Sequence, residues 1–451
     1  MRRLFGTDGV RGIANEFLSC ERAMAIGRAL GHVLSSNHRY RPKVIIGMDT
    51  RLSSEMLASA ISAGLCSVGS DVMTLGVVPT PAVAYLVKKY KAKAGVMISA
   101  SHNPYNYNGI KIFGEDGFKL SDELEEQIES IVLDNTPPIK IAASEDIGKR
   151  TDKPYALHDY ITYLMHTTEI HLDGMKVAID CSCGSASATA EELFTSLGAD
   201  VRMLHDKPDG ININKNCGST HMDSLKKFVV ENNMEIGIAF DGDADRCLAV
   251  DECGNEIDGD FIMAILALDM KKKGLLNKNT VVGTVMSNFG FHKFCEDNEI
   301  NFIAAKVGDR YVLEMLNQEG YSFGGEQSGH VIIRRHATTG DGQLTALTLL
   351  AHVKESGKRL SELAKIMKKY PQHIVNIEST QNGKIALFTD EEIKAIIADA
   401  EENIGNNGRL VVRPSGTEPL IRIMVEGENE RDTVRIAEDT AKKIFEKIRE
   451  Y

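Results

Sequence analysis

The sequence predicts an α/β protein in which three similar α/β domains with mixed sheets precede a smaller α+β C-terminal domain. The chain has 451 residues, 43% of them hydrophobic, and this length exceeds what one hydrophobic core normally organises. A pattern of strand, loop, amphipathic helix and second strand occurs three times along the chain. The last eighty or so residues follow another order of elements, and we expect them to form a separate domain.

Each repeat joins apolar runs of four to seven residues to a segment with helical spacing. This combination is typical of a β-α-β crossover on a parallel or mixed sheet. One large doubly wound sheet would contain the same units, but polar or turn-rich stretches at 142–153 and 251–258 separate the copies and are typical of linkers. The repeats are predicted as strand 43–49, helix 53–67 and strand 71–76; strand 176–181, helix 187–197 and strand 200–204; and strand 280–286, helix 289–297 and strand 301–307.

The C-terminal segment has strand-like runs at 374–378, 409–412 and 421–425 and helical patterns near 391–402 and 431–448. In the last helix, apolar residues recur at spacings of three and four, which predicts one buried stripe with charges opposite. The stripe consists of Val434, Ala437, Ala441, Ile444 and Ile448. We place the four domains at 1–152, 153–254, 255–369 and 370–451.

The charge balance limits the partners. A net charge of −12 argues against nonspecific nucleic-acid binding, so any anionic ligand needs a local cluster of positive groups. The N-terminal arginines have no apolar region behind them, and no apolar run is long enough to span a bilayer. These features predict a cytoplasmic protein with no membrane and no nucleic-acid partner.

The eight cysteines contain no C-x-x-C pair, so their spacing shows neither a zinc motif nor a disulfide framework. They are interpreted as reduced thiols. Cys181 and Cys183 are predicted to be small core-filling residues, with a redox pair as the alternative.

One polar segment, ISASHNPYNYNGIK, ends a predicted apolar strand. Ser101 lies at the strand end beside His102, and Asn103 and Pro104 favour a rigid turn. Such a turn can present the hydroxyl outward, which makes Ser101 a candidate nucleophile. The segment lacks the G-x-S-x-G elbow of acyl hydrolases, and an ordinary surface turn would have the same composition.

A second segment, DGDADR, also follows a predicted apolar strand. Carboxylates at alternate positions point to the same side, so Asp241, Asp243 and Asp245 can converge on one cation, and hard oxygen ligands favour Mg²⁺. An EF-hand is the competing interpretation, because Glu252 falls at its twelfth position. Arg246 occupies the sixth position, where an EF-hand needs glycine, and a solvated acidic turn is the other alternative.

The segment GGEQSGH offers Glu326 and Ser328 as hydrogen-bond partners for adjacent sugar hydroxyls. His330 follows as a possible proton-transfer group, although a lone histidine is more often structural.

The segment RPSGTEPLIR has the donors that a phosphate dianion needs, held between two prolines. They are the guanidinium groups of Arg413 and Arg422, the hydroxyls of Ser415 and Thr417, and the amides around Gly416.

The N-terminal FGTDGVRG is a polar turn that gains meaning only if Arg11 lies beside Ser101. Together the five segments supply a nucleophile, a hard-cation site, a diol-binding loop and a phosphate-binding loop, as phosphoryl transfer on a phosphosugar requires. No Walker A sequence or kinase glycine loop provides an ATP site.

In this order, FGTDGVRG, SASHNP, DGDADR, GGEQSGH and RPSGTEP resemble the motifs of the α-D-phosphohexomutases, and the resemblance covers essentially the whole chain. It implies four domains around a central cleft. The glutamine of GEQSGH and the SASHNP form of the serine loop resemble the branch that acts on glucosamine phosphate, whereas the glucose and mannose branch tends to carry GEMSGH and a TGSHNP-type loop.

The resemblance implies a role for each matched residue. Ser101 would be the phosphorylated serine whose phosphate shares one Mg²⁺ with Asp241, Asp243 and Asp245. The other matched residues are Arg11, His102, Lys111 and His330 at the transfer site, Glu326 and Ser328 at the sugar, and Arg413, Ser415, Gly416, Thr417 and Arg422 at the phosphate that is not reacting.

The expected reaction interconverts glucosamine 6-phosphate and glucosamine 1-phosphate through glucosamine 1,6-bisphosphate, which turns over in the cleft. It would supply amino-sugar nucleotides and cell-wall precursors. The rivals are a glucose or mannose phosphomutase, a noncatalytic phosphosugar-binding regulator and a phosphatase. Either His330 or Lys111 would take the proton of the attacking hydroxyl, and the resemblance is compatible with a homodimer.

Overall fold

The computed structural model describes residues 3–6, 8–36, 41–415, 419–449 and 451. The chain divides into two compact bodies, Met1–Thr284 with Ala305–Ala364 and Val285–Ala304 with Lys365–Tyr451. Mixed sheets with helices precede a smaller C-terminal sheet-and-helix domain, so the predicted α/β class is confirmed. Among the described helices, none combines the length and the apolar character needed to cross a membrane.

The first mixed sheet carries the loop that contains Ser101. Its elements are β1 (Val10–Ile13), α1 (Cys20–Ser36), β2 (Lys43–Met48), α2 (Ser54–Ser67), β3 (Asp71–Val77), α3 (Thr80–Lys89), β4 (Ala94–Ile98), β5 (Tyr107–Gly114), α4 (Asp122–Asp134) and β6 (Arg150–Asp152). The strand order is β1-β5-β4-β2-β3-β6. Apolar residues of α1, α2 and α4 pack with β2 and β4 in one core, which fixes where β4 ends. The predicted linker 142–153 is therefore partly wrong, because β6 extends this sheet beside β3.

The second mixed sheet carries the acidic loop, which contains Asp241, Asp243 and Asp245. Its elements are α5 (Ala156–Met165), β7 (Lys176–Asp180), α6 (Ala190–Ser196), β8 (Asp200–Leu204), α7 (Asp223–Glu231), β9 (Ile236–Phe240), β10 (Cys247–Asp251) and β11 (Glu256–Ile257). The order is β11-β10-β9-β7-β8, and β9 and β10 are antiparallel. Because Cys247–Asp251 forms the strand β10, the segment that begins at Asp241 is not an EF-hand loop. The strand β11 pairs with β10 inside 251–258, so the prediction of a linker there is partly wrong.

The remaining part of the first body carries the GGEQSGH loop. Its elements are α8 (Gly259–Lys272), β12 (Thr280–Thr284), α10 (Asp309–Glu319), β14 (Phe323–Gly325), β15 (Val331–Ile333), α11 (Gly342–Ser356) and α12 (Leu360–Leu363). The strand β14 is parallel to β12 and antiparallel to β15, so the loop connects two neighbouring strands.

The second body contains the C-terminal domain. Its elements are α9 (Phe289–Asp297), β13 (Asn301–Ala305), β16 (Gln372–Glu378), α13 (Gln381–Thr389), α14 (Glu391–Ile404), β17 (Gly408–Pro414), β18 (Leu420–Gly427) and α15 (Glu430–Ile448). The antiparallel order is β16-β18-β17. The predicted stripe of α15 is confirmed at its buried positions Ala437, Ala441, Ile444 and Ile448, while Val434 is half-buried.

Candidate active site

The hydroxyl of Ser101 faces the acidic loop and not the solvent. Ser101 follows β4, is 1% exposed and donates through Oγ to Asp241 Oδ2 at 2.5 Å. The expectation of an outward hydroxyl is therefore wrong for this arrangement. The backbone of Ser101 has a φ of 51°, a left-handed conformation that costs a non-glycine residue about 1–3 kcal/mol and persists only where neighbours impose it.

Arg51 imposes that conformation. Its guanidinium is buried and donates through Nη2 to the carbonyls of Ser101 and Asn103, both at 2.8 Å, and through Nη1 to the carbonyl of Tyr107 at 3.0 Å. Its Nε donates to Asp49 Oδ2 at 2.7 Å. One planar group thus holds several carbonyls of the serine loop, a task suited to the fixed donor fork of arginine.

The three carboxylates of the acidic loop are buried and close together. Asp241, Asp243 and Asp245 each offer one oxygen, and these oxygens lie within 4.8 Å of one another. Among the described residues, Oδ1 of Asp243 and Oδ1 of Asp245 have no hydrogen-bond partner. Buried carboxylate oxygens that lack hydrogen bonds are costly unless a cation lies beside them, so this donor set fits a hard divalent ion.

Crowding of like charges changes the proton affinity of the cluster. Burial, followed by the charges of Asp245 and Asp243, raises the pKa of Asp241 to about 8. Burial also acts to raise the pKa of Asp245, but the charges of Lys111 and His330 outweigh burial and lower that pKa well below its usual value. Asp241 therefore binds its proton more tightly than Asp245 does.

Lys111 supplies the nearest positive charge. It lies on β5, is 1% exposed, and places Nζ 2.8 Å from Asp243 Oδ2, 3.3 Å from Asp245 Oδ2 and 3.1 Å from Asp8 Oδ2. Burial opposes its charge, but Asp243, Asp8 and Asp245 together raise the pKa of Lys111 well above its usual value. The ammonium group therefore stays protonated and can hold anionic oxygens.

Arg11 and His102 border the same site. Arg11 lies on β1 opposite Gly109 of β5, and its guanidinium contacts Asp8. Burial opposes the charge of Arg11, but Asp8, Asp243 and Asp245 raise its pKa. Lys111 contacts both Asp8 and Asp243, so the predicted N-terminal turn lies beside the acidic loop. Partial desolvation, then the charges of Arg246 and Arg11, lower the pKa of His102 to about 4, so this imidazole is neutral at physiological pH.

The GGEQSGH loop brings His330 close to the acidic loop. His330 is 2% exposed, with Nδ1 3.6 Å from Asp245 Oδ1. The amide of Gly340 donates to its Nε2 at 3.1 Å, so the ring carries its hydrogen on Nδ1 in this geometry. Glu326 is half-buried and accepts from the amide of Gly308 at 3.0 Å, whereas Ser328 is exposed.

The predicted phosphate-binding residues lie in the second body. Arg413 and Arg422 face each other across β17 and β18, and burial, then the charge of Arg422, lowers the pKa of Arg413. The backbone amide of Ser415 donates a hydrogen bond to the carbonyl of Leu420 at 2.8 Å. Gly416 and Thr417 lie outside the described residues.

Several charged residues of the first body were missed by sequence reasoning. Lys119 Nζ lies 2.5 Å from Asp8 Oδ1 and 2.5 Å from Asp309 Oδ2. The charges of Asp241, Asp245 and Glu326 raise the pKa of Arg246 against the effect of burial. Arg246 is the last residue of the DGDADR segment. Its closeness in sequence to the three acids was the signal that could have identified it.

The chain matches four domain models of the family described as Phosphoglucomutase/phosphomannomutase. Alpha/beta/alpha domain I matches residues 2–138, domain II residues 158–254, domain III residues 258–370 and the C-terminal domain residues 351–443. The predicted family resemblance is thereby confirmed.

Curated relatives are similar over the full length. A phosphoglucosamine mutase of Clostridium botulinum (strain Kyoto / Type A2) is 51% identical over 100% of both chains, and one of Acetivibrio thermocellus is 51% identical over 99% of this chain and 100% of its own. A phosphoglucosamine mutase of Clostridium tetani is 52% identical over 100% of both chains.

Solved structures share the fold at lower identity. A phosphoglucomutase/phosphomannomutase family protein of Burkholderia thailandensis has a TM-score of 0.84 and 21% identity, covering 98% of this chain and 97% of its own. The N-acetylphosphoglucosamine mutase of Aspergillus fumigatus, solved with GlcNAc-6P and magnesium, has a TM-score of 0.68 and 16% identity, covering 99% and 96%.

Proposed function

The chain belongs to the phosphoglucomutase/phosphomannomutase family, and from this membership we propose that it is a phosphoglucosamine mutase, interconverting glucosamine 6-phosphate and glucosamine 1-phosphate. The relatives named phosphoglucosamine mutase match it over their whole length at about half identity, which supports this substrate over glucose or mannose phosphate. The observation that carries the chemistry is the hydrogen bond from Ser101 Oγ to Asp241 inside a buried acidic cluster.

Ser101 carries the transferred phosphoryl group in this proposal. In the first half of the reaction the P–Oγ bond of phosphoserine breaks as a P–O bond to the sugar forms, and the proton lost by the sugar hydroxyl ends on Ser101 Oγ. The second half reverses this transfer at the other end of glucosamine 1,6-bisphosphate. Since Ser101 is buried, the group moves in a site shielded from bulk water, which disfavours hydrolysis and argues against a phosphatase.

Asp241, Asp243 and Asp245 would hold Mg²⁺, because hard carboxylate oxygens suit this ion and the Aspergillus relative was solved with magnesium. When bound, the ion neutralises charge on the transferring group. Lys111 and Arg11 hold the anionic oxygens beside it. The ammonium of Lys111 is ion-paired with Asp8, Asp243 and Asp245, so we assign proton transfer to the imidazole of His330 beside Asp245.

Substrate orientation would come from loops outside the acidic cluster. We assign Glu326 and Ser328 to the sugar hydroxyls, with His102 at the rim of the transfer site. A phosphate-binding loop that accepts either phosphate of the bisphosphate would allow both half-reactions at one serine. Its residues are Arg413, Ser415, Gly416, Thr417 and Arg422.

The same proposal includes the four domain boundaries predicted from the sequence, a cytoplasmic location and a homodimer. The negative net charge supports the absence of a nucleic-acid partner.

The test is a rate comparison on glucosamine 6-phosphate, glucose 6-phosphate and mannose 6-phosphate with Mg²⁺ present. We expect the highest kcat/KM on glucosamine 6-phosphate and a Ser101 phosphopeptide in the mass spectrum. The Ser101→Ala variant should keep its fold, lose that phosphopeptide and lose turnover. A preference for glucose or mannose phosphate would replace the substrate assignment, and normal turnover by Ser101→Ala would refute the phosphoserine route.

A further inference from the structure

A second group of side chains of metal-ligand type lies beside the second sheet, apart from the acidic trio Asp241, Asp243 and Asp245. Asp180 ends β7, His205 follows β8, and Cys217 precedes a short turn before α7. One ligand atom from each lies within 4.8 Å of the other two. Because the three residues come from separate loops, their sequence spacing resembles no zinc motif.

The three ligand atoms converge, and two of the residues that carry them are buried. Asp180 is fully buried and Cys217 is 1% exposed, whereas the His205 side chain is 32% exposed. His205 Nδ1 lies 3.0 Å from Asp180 Oδ2, at ion-pair distance, and makes no hydrogen bond among the described residues. The amides of Ser182 and Gly218 donate to the two oxygens of Asp180 at 2.8 and 3.0 Å and orient its carboxylate. A nitrogen and an oxygen that approach closely in this way are arranged as two ligands of one cation would be.

A second thiol adjoins the group. Cys183 lies three residues after Asp180, in the loop beside His205. Cys183 is 6% exposed, and its amide donates to the carbonyl of His205 at 2.7 Å, which ties the two loops together. The backbones of Cys183 and His205 both have positive φ values, 47° and 48°, conformations that need support from their surroundings.

We propose that Asp180, His205 and Cys217 form a binding site for one Zn²⁺ ion. Thiolate and imidazole ligands favour zinc over magnesium, and an Asp–His–Cys set supplies three of the four ligands of a tetrahedral zinc site. The acidic trio has only hard oxygens. One chain would thus hold two metals of different chemical class.

The location gives this site a structural task. Ser182, between two of the loop cysteines, donates to Asn214 Oδ1 at 2.6 Å, and Asn214 Nδ2 donates to the carbonyl of Ser101 at 2.8 Å. The amide of Ser185 donates to the carbonyl of Gly242 in the acidic loop at 2.9 Å. A metal bound here would brace the loops that support the serine loop, without touching the reacting atoms.

The test uses Co²⁺ as a spectroscopic probe on full-length protein that has been stripped with a chelator and reduced with a phosphine. Excess Mg²⁺ is added to occupy the acidic trio. We expect one Co²⁺ per chain, a sulfur-to-cobalt charge-transfer band in the near ultraviolet, and loss of the band when Zn²⁺ is added. Cys253→Ser removes an exposed thiol and should leave the band unchanged.

Two variants decide the outcome. Cys217→Ser should abolish the band. His205→Ala alters a partly exposed side chain, so it should fold, and it should weaken Co²⁺ binding at least about tenfold, since losing even an outer-shell partner of a metal costs 10- to 100-fold. An undiminished band in Cys217→Ser, or unchanged Co²⁺ affinity in His205→Ala, would overturn the proposal. So would a disulfide between Cys183 and Cys217 that resists reduction while no cobalt binds.

Discussion

Replacing Arg51 with lysine should loosen the serine loop while keeping the buried positive charge. The guanidinium makes four hydrogen bonds of 2.7–3.0 Å, three to loop carbonyls and one to Asp49, and also contacts the carbonyl of Pro104. A lysine ammonium has three N–H donors on one atom, so at least two of these five contacts are lost. At about 1–3 kcal/mol for each buried acceptor left without a donor, two lost contacts should cost about 2–6 kcal/mol of unfolding free energy.

That loss should lower the melting temperature by roughly 3–8 °C for a folding unit of a few hundred residues. The carbonyls released include that of Ser101 itself, so kcat should fall about 10- to 100-fold, because small misplacements of reacting groups are costly. KM should change little, since Arg51 is buried away from solvent. Calorimetry and steady-state rates on glucosamine 6-phosphate measure the two effects.

Arg41→Lys is the matched control. Arg41 also donates to loop carbonyls, those of Glu145 and Ile147, but its side chain is 39% exposed. Water can replace its bonds, so this variant should stay within about 0.5 kcal/mol of the parent. If Arg51→Lys behaved like Arg41→Lys in both assays, the serine loop would not depend on the guanidinium, and the positioning argument would fail.

Two further changes probe the buried groups around the site. Burial raises the pKa of Asp341 to about 6, so its carboxyl favours the folded state when protonated. Relative to Asp341→Asn, the unfolding free energy should fall by up to ~3 kcal/mol as the pH rises from about 4 to about 6. A pH-independent difference between the two proteins in urea titrations would contradict this cause. Gly340→Ala would place a Cβ about 2.5 Å from the His330 ring, so the ring must move. We expect kcat to drop by about tenfold or more with little change in melting temperature. An unaltered kcat would show that His330 does not transfer the proton.

Local patterns predicted most of the regular elements, because apolar periodicity needs no knowledge of partners. The predicted strand 200–204 and helix 289–297 match β8 and α9. The strands β6 and β11 were missed since their sequences are polar, and β6 is exposed along its whole length. Such edge strands form by backbone pairing alone, which leaves little trace in side-chain pattern.

Arg51 shows the same limit at the site. It precedes a predicted helix in a segment that has no unusual composition, and its importance comes from carbonyls about fifty residues later in the chain. The acidic trio, by contrast, was visible because alternate carboxylates are close in sequence as well as in space.

The order of amino acids establishes which residue types are available: a serine after a buried strand, alternating acids, an amide-rich phosphate loop and the family that combines them. Folding establishes which of them meet, that the Ser101 hydroxyl turns towards Asp241, and that Asp180, His205 and Cys217 converge from separate segments. The reason is physical. Coordination and hydrogen bonding act over a few ångströms, and strand order and loop packing set that distance for residues far apart in the chain.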